Sequence, residues 1–179
     1  VPMYFTAHYA SPLGGITLAS DGEALTGLWF DGQKYFADTL PAAHAAAALP
    51  VFEQASRWLD VYFAGEEPDS MPPVRLQGSL FRMAVWALLR EIPYGTVTTY
   101  GALTGRLAAQ QGGRAVSAQA VGGAVGHNPV SLIVPCHRVV GSTGSLTGYA
   151  GGVDKKEALL RLEGVDMGRL FVPKKGSAL

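Results

Sequence analysis

Two patterns of apolar residues divide this chain of 179 residues. At the start, short apolar runs separated by Gly-Gly and Asp-Gly pairs predict an antiparallel meander. The predicted strands are Met3–His8, Ile16–Ser20 and Ala24–Phe30. From residue 51 onward the apolar spacing becomes helical, and the alanine-rich segment 37–50 before it carries no clear pattern.

A helix and a proline-rich segment mark the end of an N-terminal domain. The helix is predicted over Val51–Phe63, with its apolar side chains on one face, and Gly65 ends it. Glu66–Pro73 contains three prolines and is typical of a linker. We therefore predict two domains, residues 1–73 and residues 74–179.

The second domain is predicted to be mainly helical. Three of its helices follow a residue that can cap a helix N-terminus, namely Ser79, Thr99 and Ser117. The third of these helices spans Ala118–Gly126, and the last two, joined by a turn, resemble a helix-turn-helix. The predicted fold class is therefore α/β, of the α+β type.

Further along, the chain returns to a short apolar run before its final helix. Leu132–Pro135 predicts a buried strand that ends at Cys136. Asp154 and Glu157 form a predicted capping box for the final helix, which Gly164 closes.

Composition narrows the class of protein. With 48% hydrophobic and 16% charged residues, the chain can bury a core. No apolar run approaches the ~20 residues of a membrane span and no signal-like leader opens the chain, so we expect a cytoplasmic protein without a membrane partner. One cysteine excludes an internal disulfide and a cysteine-rich zinc site, and the four histidines lack metal-ligand spacing. We expect no metal.

The zero net charge hides an asymmetry along the chain. Residues 1–75 carry three Lys or Arg and nine acids, whereas residues 76–179 carry eleven Lys or Arg and five acids. The second half is therefore the expected partner of a polyanion. Chance segregation of charges on solvated faces is the alternative.

The candidate chemistry lies in Cys136 and His137. A thiol beside an imidazole suggests a nucleophile with its activating base, because the thiolate is the reactive form. The alternative is that this lone cysteine is a small buried hydrophobic residue.

The third capped helix is nearly without side chains. Its run from Ala120 to Ala124 includes Gly122 and Gly123, and each interior glycine costs roughly 1 kcal/mol of helix propensity. Small residues suit a backbone that something approaches closely, either another helix or a narrow nucleic-acid groove.

Four motifs, taken together, resemble one family. They are Asn128-Pro129, the sequence PCHRVV of Pro135–Val140, GYAGG of Gly148–Gly152, and LEG of Leu162–Gly164. The chain resembles the O6-alkylguanine–DNA alkyltransferases, most strongly over residues 79–166. The resemblance implies a ribonuclease H-like first domain and a winged helix-turn-helix-like DNA-binding motif in the second.

The resemblance also implies catalytic roles. Cys136 would accept the alkyl group, and His137 would deprotonate it through a bound water. Glu163 would orient His137, and Tyr100 would donate a proton to guanine N3. Taken singly, Tyr100 could instead be a core aromatic and Glu163 a surface acid.

Further residues would bind the substrate base. The Val139 carbonyl would accept from the base amino group, while Tyr149 and the Ala150 backbone, followed by Gly151, would face guanine O6. Asn128 would brace the turn that leads into the active-site segment.

The remaining implied contacts are with DNA. Gln119, Ala120, Gly122 and Gly123 would present the recognition helix to the minor groove, with Arg114 nearby. Gln119 stands where the family often has an arginine, so we expect weaker extrusion of the base.

The implied activity is direct-reversal repair of double-stranded DNA containing O6-alkylguanine. The base is flipped out of the duplex and the alkyl group stays on the protein, so each molecule, expected to be a monomer, reacts once without a cofactor. In a bacterium it would be associated with the nucleoid. The resemblance leaves open whether O4-alkylthymine is repaired, and a small pocket loop predicts tolerance of larger alkyl groups.

Two other functions compete with this one. A non-catalytic module that binds alkyl damage would resemble the family but lack the nucleophile. A cysteine hydrolase would need a turn between Cys136 and His137, because adjacent residues on a strand point to opposite faces.

Overall fold

The computed structural model describes residues 3–174 and divides the chain into two compact units. The first comprises the residues up to Gln77 together with Pro129–Ile133, and the second comprises Gly78–Asn128 and the residues from Val134 onward. The final residues of the predicted second domain, 175–179, lie outside the described part. The mixed α/β class is confirmed.

The first unit is built on a four-stranded sheet. Its strands are β1 (Tyr4–Ser11), β2 (Gly14–Ser20), β3 (Leu25–Phe30) and β4 (His44–Ala46), in the order β3-β2-β1-β4. The first three form the predicted antiparallel meander. β4 runs parallel to β1 and lies within segment 37–50, which showed no clear pattern. The sequence did not predict this strand, because three exposed residues carry no periodicity.

Helix α1 (Pro50–Phe63) packs against the sheet through β1 and β2. Its buried side chains are those of the predicted apolar face. Trp58 and Tyr62, one turn apart on that face, stack with ring centroids 5.3 Å apart. The helical spacing of large apolar residues therefore identified both the helix and its buried face.

A segment distant in sequence completes this unit. The Leu28 amide donates to the Pro129 carbonyl at 2.8 Å, and the Ser131 amide donates to the Leu28 carbonyl at 3.0 Å. The sequence assigned residues 129–133 to the second domain. In the structure, these backbone hydrogen bonds attach the segment to β3 of the first unit.

The predicted strand over Leu132–Pro135 is wrong. The chain turns there instead, with Leu132 in the left-handed region at φ 71°. Residues 132–134 are buried, and a short apolar run can be buried in a turn as readily as in a strand.

The second unit contains four helices and one small sheet among its described residues. The helices are α2 (Leu80–Leu89), α3 (Tyr100–Gln110), α4 (Ala118–Gly126) and α5 (Val153–Leu162). Strands β5 (Thr98–Thr99) and β6 (Val139–Val140) pair in parallel. The three predicted caps are confirmed: Ser79, Thr99 and Ser117 each accept a hydrogen bond from the backbone amide three residues further on.

The predicted capping box of the last helix is wrong. Gly152, at φ 99°, is the N-cap of α5, and no side chain caps it. Asp154 lies within the first turn, where its negative charge interacts favourably with the positive end of the helix dipole. Gly164, at φ 76°, follows the last turn as predicted.

Within residues 3–174, no helix combines the length and apolarity needed to cross a membrane.

Candidate active site

Cys136 begins a single turn of 3-10 helix, Cys136–Arg138, and is only 5% exposed. The turn is held from its N-terminal side, because the Asn128 side-chain amide donates to the Val134 carbonyl at 2.7 Å. The Cys136 amide donates to the same carbonyl at 2.8 Å. The Asn128 side chain therefore holds the segment that leads into Cys136.

The Glu163 carboxylate collects three neighbours. His137 Nε2 lies 2.5 Å from Oε2, the Arg138 guanidinium donates to both oxygens at 2.8 and 3.2 Å, and the Gly95 amide donates to Oε1 at 3.0 Å. Burial opposes ionisation, yet the contacts with His137 and Arg138 lower the pKa of Glu163 to about 2. Glu163 is a buried anion, and the surface-acid alternative is wrong.

Arg138 is structural as well as charged. Nη1 donates to the Ile92 carbonyl at 2.7 Å, and the guanidinium lies over the Tyr94 ring at 5.6 Å. Its fork and flat face are thus occupied within the unit. Arg138 fixes Glu163, which in turn fixes His137.

His137 is arranged as a base. Burial lowers the pKa of His137, with Glu163 opposing that shift, so the ring is neutral at rest. When Nε2–H donates to Glu163, the basic lone pair lies on Nδ1. Protonation of Nδ1 would place a cation directly against the Glu163 carboxylate, which stabilises it.

To act as a nucleophile, the Cys136 thiol would require such a base. Burial raises the pKa of Cys136, while a hydrogen bond from Asn128 and the positive charge of Lys156 lower it. Because burial is the largest effect, the thiol is protonated at rest. Its activation therefore depends on a proton acceptor.

A second group of polar side chains centres on the Thr147 carbonyl. The Tyr100 hydroxyl donates to it at 3.2 Å, and Lys156 Nζ donates to it at 2.8 Å. Lys156 also donates to the Val139 carbonyl. Burial raises the pKa of Tyr100, so the phenol keeps its proton and can donate it.

The sequence reasoning missed Lys156. The residue is completely buried on α5 and lies on the same helical face as Val153 and Leu160. A lysine at an apolar position of a helix stripe is the signal that could have found it.

The loop Gly148–Gly152 shapes the wall of the site. The Tyr149 ring meets the His137 ring edge-on, with centroids 6.5 Å apart. A Cβ on Gly148 would lie 2.5 Å from the Tyr100 hydroxyl, and a Cβ on Gly151 would lie 2.6 Å from the Tyr149 ring. The glycines leave room for these rings, and Ala150 lies half-buried between them.

The predicted DNA-contacting residues lie on α4 and in the loop before it. α4 packs on α2 and α3 through Val121, Ala124 and Val125, and the Trp86 indole donates to the Ala124 carbonyl at 2.8 Å. The other predicted contacts lie on the exposed or half-exposed face: Gln119, Ala120, Gly122, Gly123 and, in the loop, Arg114.

The two glycines of α4 do not serve packing among the described residues. A Cβ at Gly122 or Gly123 would have no heavy atom within 4 Å. Of the two explanations predicted from sequence, close approach of another helix of this unit is therefore excluded. The exposed backbone of α4 suits an external partner.

No group of three or more His, Cys, Asp and Glu side chains within residues 3–174 could hold a metal ion. The functional groups of the site are instead a thiol, an imidazole–carboxylate pair, a phenol and an ammonium. That set suits nucleophilic transfer with proton movement.

Comparison with known proteins agrees with this geometry. Residues 4–76 match the ribonuclease-like domain of 6-O-methylguanine DNA methyltransferase, and residues 80–165 match its DNA binding domain. A methylated-DNA–protein-cysteine methyltransferase of Haemophilus influenzae is 41% identical over 90% of this chain and 86% of that protein. One from Methanosarcina acetivorans is 43% identical over 90% of this chain and 99% of its own.

A solved structure is similar as well. The crystal structure of Mycobacterium tuberculosis OGT in complex with DNA has a TM-score of 0.75 and 42% identity, covering 90% of this chain and 92% of that one. The match extends over both units. The chain therefore belongs to the 6-O-methylguanine DNA methyltransferase family.

Proposed function

We propose that this protein repairs double-stranded DNA by transferring the alkyl group from O6 of guanine to its own Cys136. The carrying observation is the single cysteine, buried in a turn beside a hydrogen-bonded histidine–glutamate pair. Family membership supplies the substrate class. The M. tuberculosis relative, which was crystallised with DNA, supports DNA as the partner.

The reaction begins with the thiol proton. His137 accepts it through a bound water, and Glu163 stabilises the imidazolium that forms. The thiolate is a soft nucleophile suited to a saturated carbon. Arg138 keeps Glu163 ionised throughout and so maintains the strength of the base.

The transfer step forms one bond and breaks another. Cys136 Sγ bonds to the alkyl carbon while the carbon–O6 bond breaks, and its electron pair passes to the guanine ring. Tyr100 then donates its proton to N3, which neutralises the leaving base. The Val139 carbonyl accepts from the base amino group, and the Tyr149–Gly151 loop faces O6.

DNA recognition falls to the exposed face of α4. Its bare backbone would lie in the minor groove, and Gln119 would take the place left by the flipped base. Exposed Arg114 would contact phosphate. No step regenerates the thiol, so one monomer repairs one lesion. We further propose that the protein acts in the cytoplasm.

Mass spectrometry of the intact protein and its peptides, after mixing with a duplex containing O6-methylguanine, tests this function. We expect one methyl group per chain, located on Cys136 and absent from Cys136→Ser. Binding without any mass gain would instead support the damage-binding module. Repeated turnover of an ester or peptide would support the hydrolase.

A further inference from the structure

The loop of residues 141–152, which we call the site loop, contains five glycines and shapes one wall of the proposed site. It carries the Thr147 carbonyl, which accepts from the Tyr100 hydroxyl, and the Tyr149 ring, which lies beside His137. Glycine loses more conformational freedom on folding than any other residue. A loop of this composition therefore depends on contacts outside itself to hold one shape.

Helix α5 holds the C-terminal end of the site loop. The Gly152 amide donates to the Tyr149 carbonyl at 3.0 Å, and the Gly152 carbonyl accepts from the Lys156 amide, in the first turn of the helix, at 3.1 Å. These bonds fix the end of the loop that leads into α5. The part of the loop before Thr147 is held by a different segment.

That segment is formed by residues 167–171, which we call the C-terminal clasp. The Leu146 amide donates to the Phe171 carbonyl at 2.9 Å, and the Phe171 amide donates to the Gly144 carbonyl at 3.0 Å. The two hydrogen bonds form an isolated parallel β-bridge. Because Thr147 is the next residue after Leu146, the clasp fixes the backbone immediately before the carbonyl that the Tyr100 hydroxyl contacts.

The clasp is also seated by packing. Two of its side chains pack against the buried apolar cluster that includes Leu146 of the site loop. They are Met167 and Leu170. Gly144 has φ 97°, and a Cβ there would collide with the Arg169 carbonyl oxygen. The Phe171 side chain is 47% exposed, so its attachment to the loop depends mainly on the two backbone hydrogen bonds.

The position of this wall has two consequences for the proposed reaction. If the site loop moved outward, the Thr147 carbonyl would no longer align the Tyr100 phenol, which would slow every transfer. The same movement would open room around the alkyl group on O6, which would favour large groups over small ones. A change in the hold on the loop should therefore alter the selectivity for alkyl size as well as the rate.

We propose that the C-terminal clasp limits the size of the alkyl group that Cys136 accepts, by holding the site loop close to the alkyl group. Gly144 and Phe171 are positioning residues, which act through the loop. This inference rests on the proposed function and adds a determinant of specificity that lies outside the motifs of the site.

Single-turnover transfer from duplexes containing O6-methylguanine or O6-benzylguanine, measured by mass spectrometry of the protein, tests the inference. Gly144→Ala displaces the Arg169 carbonyl, and Phe171→Pro removes the amide that donates to Gly144. Gly14→Ala is the matched control, because Gly14 also has a positive φ, of 114°, but no heavy atom lies within 4 Å of a Cβ there. Phe171→Ala is a second control, which keeps both backbone hydrogen bonds.

We expect Gly144→Ala and Phe171→Pro to slow methyl transfer by roughly 100-fold. Benzyl transfer should slow by less, so that the ratio of benzyl to methyl rates rises roughly tenfold. Both controls should keep the wild-type ratio. An equal loss of both rates would show a purely structural role and overturn the inference, as would unchanged rates. If wild type takes up no methyl group at all, the proposed function fails instead.

Hydrogen–deuterium exchange of the wild-type protein, followed by NMR, tests the clasp without any variant. The Leu146 and Phe171 amides should both be protected from exchange, because each donates to a backbone carbonyl. In Gly144→Ala, but not in Gly14→Ala, the amides of residues 147–151 should exchange faster. If the two amides of the wild-type protein exchange as fast as those of an open loop, the inference is overturned even where neither variant folds.

Discussion

Replacing Gly123 by alanine should raise the thermal stability of the protein and weaken its binding to DNA. Gly123 lies in α4 with open space where a Cβ would be. Within a helix, alanine is favoured over glycine by about 0.5–1 kcal/mol, and no steric penalty offsets this gain. For a chain of this size, each kcal/mol corresponds to about 2–4 °C in Tm.

The same methyl group would stand between the α4 backbone and the DNA groove. If the backbone approaches the groove closely, we expect Kd for damaged duplex to rise roughly tenfold, equivalent to about 1.4 kcal/mol. Gly105→Ala is the matched control, because Gly105 is an exposed glycine of α3 whose Cβ position is also open. It should gain the same stability with a smaller change in Kd.

Thermal unfolding and fluorescence anisotropy with a labelled duplex, at one fixed salt concentration, measure the two effects. An increase in Tm without loss of DNA affinity would show that α4 does not approach the groove through this face. A decrease in Tm would contradict the open surroundings of Gly123. The first result would refute the argument about DNA binding, and the second would refute the argument about stability.

Four further predictions concern the site and the DNA surface. Glu163→Gln should slow transfer in the mass assay. Because the folded pKa of Glu163 is depressed to about 2, its contribution to stability is full above pH about 5 and is lost as pH falls toward 2. Acid unfolding of the variant should therefore show a shallower loss of stability over that window. Gly148→Ala should displace the nearby tyrosine hydroxyl and slow transfer more than Gly152→Ala, which also has a positive φ but no neighbour within 4 Å of a Cβ, as single-turnover rates would show. The logarithm of Kd should vary linearly with the logarithm of salt concentration, and Arg114→Ala should reduce the slope by about one; an unchanged slope would remove Arg114 from the phosphate contacts. Gln119→Arg should raise duplex affinity and repair rate, and unchanged values of both would contradict the expectation of weaker extrusion.

Local signals in the sequence predicted most of the fold. The three helix caps of the second unit and the buried face of α1 depend on residues within one or two turns of each other. The strand prediction at Leu132–Pro135 was wrong because these residues are apolar to suit burial in a turn, not to suit a strand. No local pattern shows that this segment turns and is buried.

The site divides in the same way. Motifs indicated Cys136, His137 and Glu163, and the structure brings the last two into direct contact. The apolar stripe of the last helix could have located Lys156 but not its partners, because these are backbone carbonyls 17 and 9 residues away in sequence. Backbone acceptors have no residue identity, so a motif cannot report them.

The attachment of residues 129–133 to β3 has a consequence for biosynthesis. The first unit lacks its last backbone partners until residue 133 has left the ribosome, by which time α2, α3 and α4 have already been translated. We therefore expect the first unit to complete its backbone pairing only after most of the second has been made, unlike the usual order in which an N-terminal domain folds first. A fragment ending near Gln77 would leave the Leu28 amide and carbonyl without these partners, and a fragment beginning at Gly78 would carry a buried apolar segment with nothing to receive it.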